Sequence, residues 1–176
     1  MSQTSSDELV KIEDLRISIY SEGVSFDVVK GVSLSICANE IVGLVGESGC
    51  GKSMTALSVM GLLPDNVARV TGGKILYLGK DLVGLKPRDM RSLRAEEISM
   101  IFQDPITSLD PVFTIGSLLK EVIRAHRDVS VSEAEEMAIH ALEEAQLPDA
   151  SKRLKSYPHE LSGGMRQRVM IALATA

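Results

Sequence analysis

The sequence has no tryptophan and only three phenylalanines and three tyrosines. So few rings leave little on which unpaired bases could stack, as single-strand nucleic-acid binders require. Basic charge is not in excess either: nineteen Lys and Arg face twenty-four Asp and Glu, for a net charge of −5. With a pI near 5.3, no nucleic acid is expected among the partners. Cysteine is scarce. Cys37 and Cys50 stand apart, without a second thiol at metal-ligand spacing, and Cys50 lies inside a glycine-rich loop. A thiolate zinc site and a disulfide are both unexpected, which fits a reducing compartment. No apolar run approaches the ~18 residues of a membrane-spanning helix. The start, from Met1 to Glu8, is polar and acidic, unlike a secretory leader. What remains is a chain of 176 residues, 44% hydrophobic, enough for one core or one core with an inserted subdomain.

Against that background two glycine motifs stand out. The first is Gly46-Glu47-Ser48-Gly49-Cys50-Gly51-Lys52-Ser53, which fits G-x-x-x-x-G-K-[ST] at every fixed position. The apolar run Ile41–Val45 precedes it and reads as a buried strand. Residues Met54–Leu63 follow as a helix stopped by Pro64. Strand, glycine loop and helix form the context in which this pattern binds phosphate. Glycines at 46, 49 and 51 permit backbone angles that let successive N–H groups turn inward around a polyphosphate. The helix that follows favours an anion at its N-terminus. Lys52 is placed to reach the β- and γ-phosphates, and the Ser53 hydroxyl to ligate Mg²⁺. The candidate nucleotide contacts run from Gly46 through Met54.

Around this loop, alternation predicts strands over 9–19, 26–30, 32–36 and 72–79, with a turn at Ser21-Glu22-Gly23. Residues Arg88 to Arg94 suit one or two helical turns, and Ile98–Phe102 a buried strand. Beyond Pro105 the apolar spacing becomes helical. One helix is expected over Ile115–Ala125. A second opens on the capping box Ser132-Glu133-Ala134-Glu135, presents Ala138, Ala141, Leu142 and Ala145 on one face, and stops at Pro148. A third runs from Ser162 to the end. The expected fold class is α/β, with antiparallel N-terminal strands and an inserted helical subdomain. The divisions are 1–105 for strands and phosphate loop, 106–160 for the helical subdomain, and 161–176 for the second motif and its helix.

That second motif is Leu161-Ser162-Gly163-Gly164-Met165-Arg166-Gln167. Ser162 suits an N-cap, and the two glycines expose N–H groups at a helix start. With the phosphate loop, it makes the chain resemble the nucleotide-binding subunit of ATP-binding-cassette transporters, whose signature reads LSGGQ-like. Here Met165 takes the last signature position. The segments Met100–Pro111 and Tyr157–Val169 resemble the branch that imports dipeptides, oligopeptides or nickel. The resemblance implies a P-loop NTPase core with a mixed sheet, and two ATP molecules sandwiched in a head-to-tail pair of identical or homologous subunits. Ser162, Gly163 and Gly164 would then act on the γ-phosphate held by the other subunit. Gln103 falls at the Q-loop glutamine, implied to touch Mg²⁺ and the attacking water. An upstream aromatic usually stacks on adenine; Tyr20 is the candidate and Phe26 the runner-up.

The family likeness further implies integral membrane permease partners, an extracytoplasmic solute-binding protein acting indirectly, and a place at the cytoplasmic face of the inner membrane. It also implies an apolar strand ending in Asp-Glu after the signature, then a switch histidine. Neither occurs in this sequence, which reaches Ala176 within the signature helix. The complete protein is expected to be a transport ATPase. This chain alone is expected to lack turnover and to be marginally stable or prone to aggregate. The alternatives are a soluble cassette ATPase of DNA repair or translation, and a nucleotide-binding fragment that never hydrolyses.

Overall fold

The computed structural model describes residues 8–21, 23–103 and 108–176, without the side chain of residue 95. Expectations for Met1 to Asp7, Glu22 and the stretch Asp104 to Thr107 lie outside the described residues. The chain divides into two compact units, Met1–Arg94 and Ala95–Ala176.

The first unit is built on a four-stranded antiparallel sheet of order β2-β1-β3-β4. Its strands are β1 (Glu8–Ser21), β2 (Val24–Cys37), β3 (Ala68–Tyr77) and β4 (Lys80–Asp81). The two strands expected over 26–30 and 32–36 are one, β2, paired along its whole length with β1. β3 begins earlier than expected, because Ala68, Arg69 and Val70 find partners in Ile19, Ser18 and Ile17. Ile12, Leu15, Ile17, Val29 and Ile75 form the buried face, with Met60, Met90 and Leu93 among the buried residues of the same unit. Ser18, Thr55 and Ser58 are buried polar residues of this unit; the Ser18 hydroxyl donates to Asp27 at 2.6 Å and lies 3.0 Å from the Thr71 hydroxyl, so its burial leaves nothing unsatisfied.

The helix after the phosphate loop, α1, spans Lys52–Val59 and ends earlier than expected. Gly61 stops it, ahead of Pro64. Its φ is +59, and the Gly61 and Leu62 N–H groups donate back to Ser58 and Leu57. That pair of bonds is a Schellman close, which needs a left-handed residue where Gly61 stands. A further helix, α2, spans Pro87–Glu96.

The two expected buried strands, Ile41–Val45 and Ile98–Phe102, are not strands in this structure. Ile41 is fully exposed, Val45 is 90% exposed, and Ile101 and Phe102 are nearly half exposed. The reason is physical. A strand needs a neighbour for its backbone hydrogen bonds, and among the described residues neither run has one. Apolar content marked both as strands, but content alone does not supply the ladder.

The second unit is helical: α3 (Ile115–His126), α4 (Val131–Glu144), the short α5 (Ala150–Arg153), a 3₁₀ turn (Pro158–Glu160) and α6 (Gly163–Thr175). Its core joins Ile115, Leu119 and Ile123 of α3 to Ala134, Ala138 and Leu142 of α4 and Val169 and Ala172 of α6. The capping box of α4 sits two residues earlier than expected. Ser130 accepts from the Glu133 N–H, and the Glu133 carboxylate accepts from the Ser130 N–H. Ser130 and Ser132 each stand three residues before a glutamate, and the helix opens on the earlier of the two. α4 ends at Glu144, before Pro148, in a second Schellman close with Gln146 at φ +59. Lys120 of α3 reaches Glu135 of α4 at 2.9 Å. Among the described residues no helix is long and apolar enough to cross a membrane.

Candidate nucleotide-binding site

The phosphate loop lies in the first unit and is exposed from Gly46 through Cys50. Gly49 and Gly51 adopt φ of +82 and +97, as a loop turning its N–H groups inward requires. Gly46 differs from that expectation. It is not in the left-handed region; a side chain there would strike the Cys50 sulfur at 2.7 Å. Gly51 is confined twice, since a Cβ would also lie 2.8 Å from the Val28 carbonyl and 2.9 Å from Val29 Cγ2. The loop is thereby seated directly on β2.

Lys52 opens α1 and folds across the loop. Its Nζ donates to the carbonyl oxygens of Gly46 at 2.8 Å and Glu47 at 2.7 Å. Two loop carbonyls thus hold the ammonium against the loop itself. Ser53 is exposed and Met54 half-buried. Behind them the Thr55 hydroxyl donates to the Gly51 carbonyl at 3.0 Å, fixing the turn from within the helix. Thr55 was not singled out from the sequence. A threonine four residues after a loop glycine, placed to bond back to the i−4 carbonyl, is the signal that could have found it.

Tyr20 and Phe26 lie on opposite faces of the β1–β2 hairpin. Ile19 pairs with Phe26, and Tyr20 with Ser25. Opposed residues share a face and successive residues alternate. Phe26 therefore shares a face with Ile17 and Val29, the residue beneath Gly51, and is 52% exposed. Tyr20 shares the other face with Ser18, where the Arg69 guanidinium covers its ring at 4.2 Å.

The remaining candidates belong to the second unit. Gln103 is an exposed residue in a bend. Ser162 caps α6, accepting from the Met165 N–H at 3.4 Å. Gly163 and Gly164 are exposed, and among the described residues a Cβ on either would meet nothing within 4 Å. Sequence reasoning assigned no role to Arg166. Its Nε donates to the carbonyls of Pro158 at 2.9 Å and Leu161 at 3.1 Å. A cation in the opening turn of a helix was the available signal, because helical side chains lean back over the preceding chain.

Oxygen donors suit Mg²⁺, which keeps several waters and takes phosphate oxygens as ligands. The Ser53 hydroxyl and the Gln103 amide are of that kind. Among the described residues there is no cluster of His, Cys, Asp and Glu that could hold another metal.

The chain is similar to the oligopeptide transport ATP-binding protein OppD of Escherichia coli, 45% identical over 99% of this chain and 51% of that protein. It is 44% identical to the dipeptide transport ATP-binding protein DppD of Bacillus subtilis over 96% of this chain and 50% of the relative. It thus spans about half the length of the curated relatives it matches. The fold matches the ATP-binding cassette MJ0796, solved as a dimer bound to ADP and Pi, with TM-score 0.82 and 25% identity over 94% of this chain and 68% of that one. The family model described as ABC transporter matches residues 29–176; the chain is a member of the ABC transporter family, with the α/β fold of its P-loop ATPases.

Proposed function

We propose that the chain is the ATP-binding part of a subunit that drives peptide import. The observation that carries this reading is the phosphate loop itself. Gly49 and Gly51 turn the backbone inward at the N-terminus of α1, and Lys52 is held across the opening. Gly46 through Met54 cradle the phosphates of ATP, Ser53 and Gln103 serve Mg²⁺, and Gln103 also orients the attacking water. The peptide assignment is supported by the relatives, which are named for dipeptide and oligopeptide transport.

The signature works across a dimer in this reading, as the dimeric state of the similar cassette supports. Gly163 and Gly164 supply a second argument. Glycine in a helix costs about 0.5–1 kcal/mol relative to alanine, yet among the described residues nothing crowds either position. A requirement for glycine there arises from what approaches the helix start, namely a polyphosphate on a second copy, close enough to exclude a Cβ. Residues 1–105 then carry the nucleotide core, 106–160 the helical subdomain that meets the permease, and 161–176 the signature. The assembly sits at the cytoplasmic face of the inner membrane and receives solute from an extracytoplasmic binding protein.

For adenine, the geometry favours Phe26 over Tyr20. Phe26 is open and on the face that carries Val29 beneath the loop, while Arg69 occupies the Tyr20 ring.

Equilibrium MgATP binding tests the reading. Saturable binding lost in Lys52→Ala supports it, and binding untouched by that substitution contradicts it. Co-purification with an integral membrane permease separates a transport subunit from a soluble cassette ATPase.

A further inference from the structure

Two arginines follow the signature glycines, and they do different work. Arg168 turns away from the helix start and donates to the Ala145 carbonyl at 2.8 Å, joining α6 to the end of α4. Arg166 turns back to the segment before the N-cap, where one Nε–H is shared between Pro158 and Leu161. Those two carbonyls bracket the 3₁₀ turn that delivers the chain to Ser162. The other side of this turn is closed by Glu160, whose carboxylate accepts from the Tyr157 N–H at 2.7 Å. A cation near a helix N-terminus opposes the helix dipole. Arg166 is therefore poorly explained by the stability of α6 alone.

We infer that Arg166 is a positioning residue for the signature. By holding both carbonyls it sets the angle at which the chain enters Ser162. That angle aims the Ser162 hydroxyl and the Gly163 and Gly164 N–H groups at the polyphosphate of a second copy. The inference rests on the two-subunit reading above. Arg166 touches no nucleotide in this scheme; it acts through the backbone of the turn.

The test uses the full chain and its Arg166→Met and Arg166→Lys variants. Two quantities are read for each: MgATP affinity of the monomer, and MgATP-driven self-association by sedimentation. A bond from a charged donor is strong enough that Arg166→Met should weaken association by about tenfold or more. Monomer affinity, set by the other unit's phosphate loop, should stay within about twofold, a change far below one tenfold step. Arg166→Lys keeps a cationic donor on a flexible stem and should restore most of the association. Normal association by Arg166→Met overturns the role given to Arg166. So does loss of its helical circular dichroism, or failure of lysine to rescue. Absence of MgATP-driven association in the unsubstituted chain overturns the two-subunit reading itself.

Discussion

Gly116 of α3 lies against Leu154: its N–H donates to the Leu154 carbonyl at 2.8 Å, and a Cβ on Gly116 would sit 2.8 Å from that same oxygen. The space is closed by backbone, which cannot swing aside as a side chain could. Gly116→Ala should therefore destabilise the chain by about 1–3 kcal/mol, the usual cost of overpacking. Gly164→Ala, with nothing near its Cβ, should leave stability unchanged or raise it by up to about 1 kcal/mol. Paired denaturant melts of the two variants check the contrast.

The base platform separates two rings of similar size. Stacking on an aromatic contributes about 1–3 kcal/mol per base, so Phe26→Ala should weaken MgATP binding by roughly five- to a hundredfold. Tyr20→Ala should leave affinity near that of the unsubstituted chain, since its ring is engaged with Arg69. A nucleotide titration of both variants decides between them, and the reverse ranking would return the role to Tyr20.

Gln146 carries a left-handed backbone, φ +59, at the close of α4. Glycine adopts that conformation without the Cβ penalty. Gln146→Gly should raise stability by about 0.5–1 kcal/mol, offset slightly by loss of the long 3.4 Å contact from Arg168. A higher melting midpoint without change in helix content is the expected outcome.

What the sequence made legible was local. The phosphate loop and the signature could be read because each is a short run whose chemistry is fixed by residue type. The helices followed from apolar spacing, and β1 from alternation. The errors have a common origin in interactions that spacing does not encode. Ile41–Val45 and Ile98–Phe102 have strand composition but no described neighbour to pair with. Ser132 and Ser130 offer equivalent capping patterns, which spacing alone cannot separate, and the structure caps on Ser130. The end of α1 at Gly61 was overlooked because proline is the louder stop signal. Tyr20 and Phe26 could not be separated until the register placed them on opposite faces.

Two carboxylates make the helical unit sensitive to acid. The Ser130 hydroxyl and N–H at the capping box hold Glu133 below the ordinary glutamate value of 4.5. Lys120 does the same for Glu135 by hydrogen bonding and charge. A carboxylate lowered on folding contributes stability that is present above its unfolded value and lost as pH falls through the folded one. Stability should accordingly decline as pH drops below 4.5, and Glu133→Gln should flatten that decline. Melting midpoints across the acid range check both statements.

The central claim is that one ATP site is shared between the phosphate loop of one copy and the signature of another. Mixing two damaged chains tests it most directly. A Lys52→Ala chain keeps its signature, and a Gly164→Leu chain keeps its phosphate loop; neither alone can form an intact shared site. Sedimentation in MgATP should show each variant alone as a monomer and their mixture as a heterodimer with one intact site. A mixture that stays monomeric while the unsubstituted chain associates, or either variant associating by itself, would contradict the shared site.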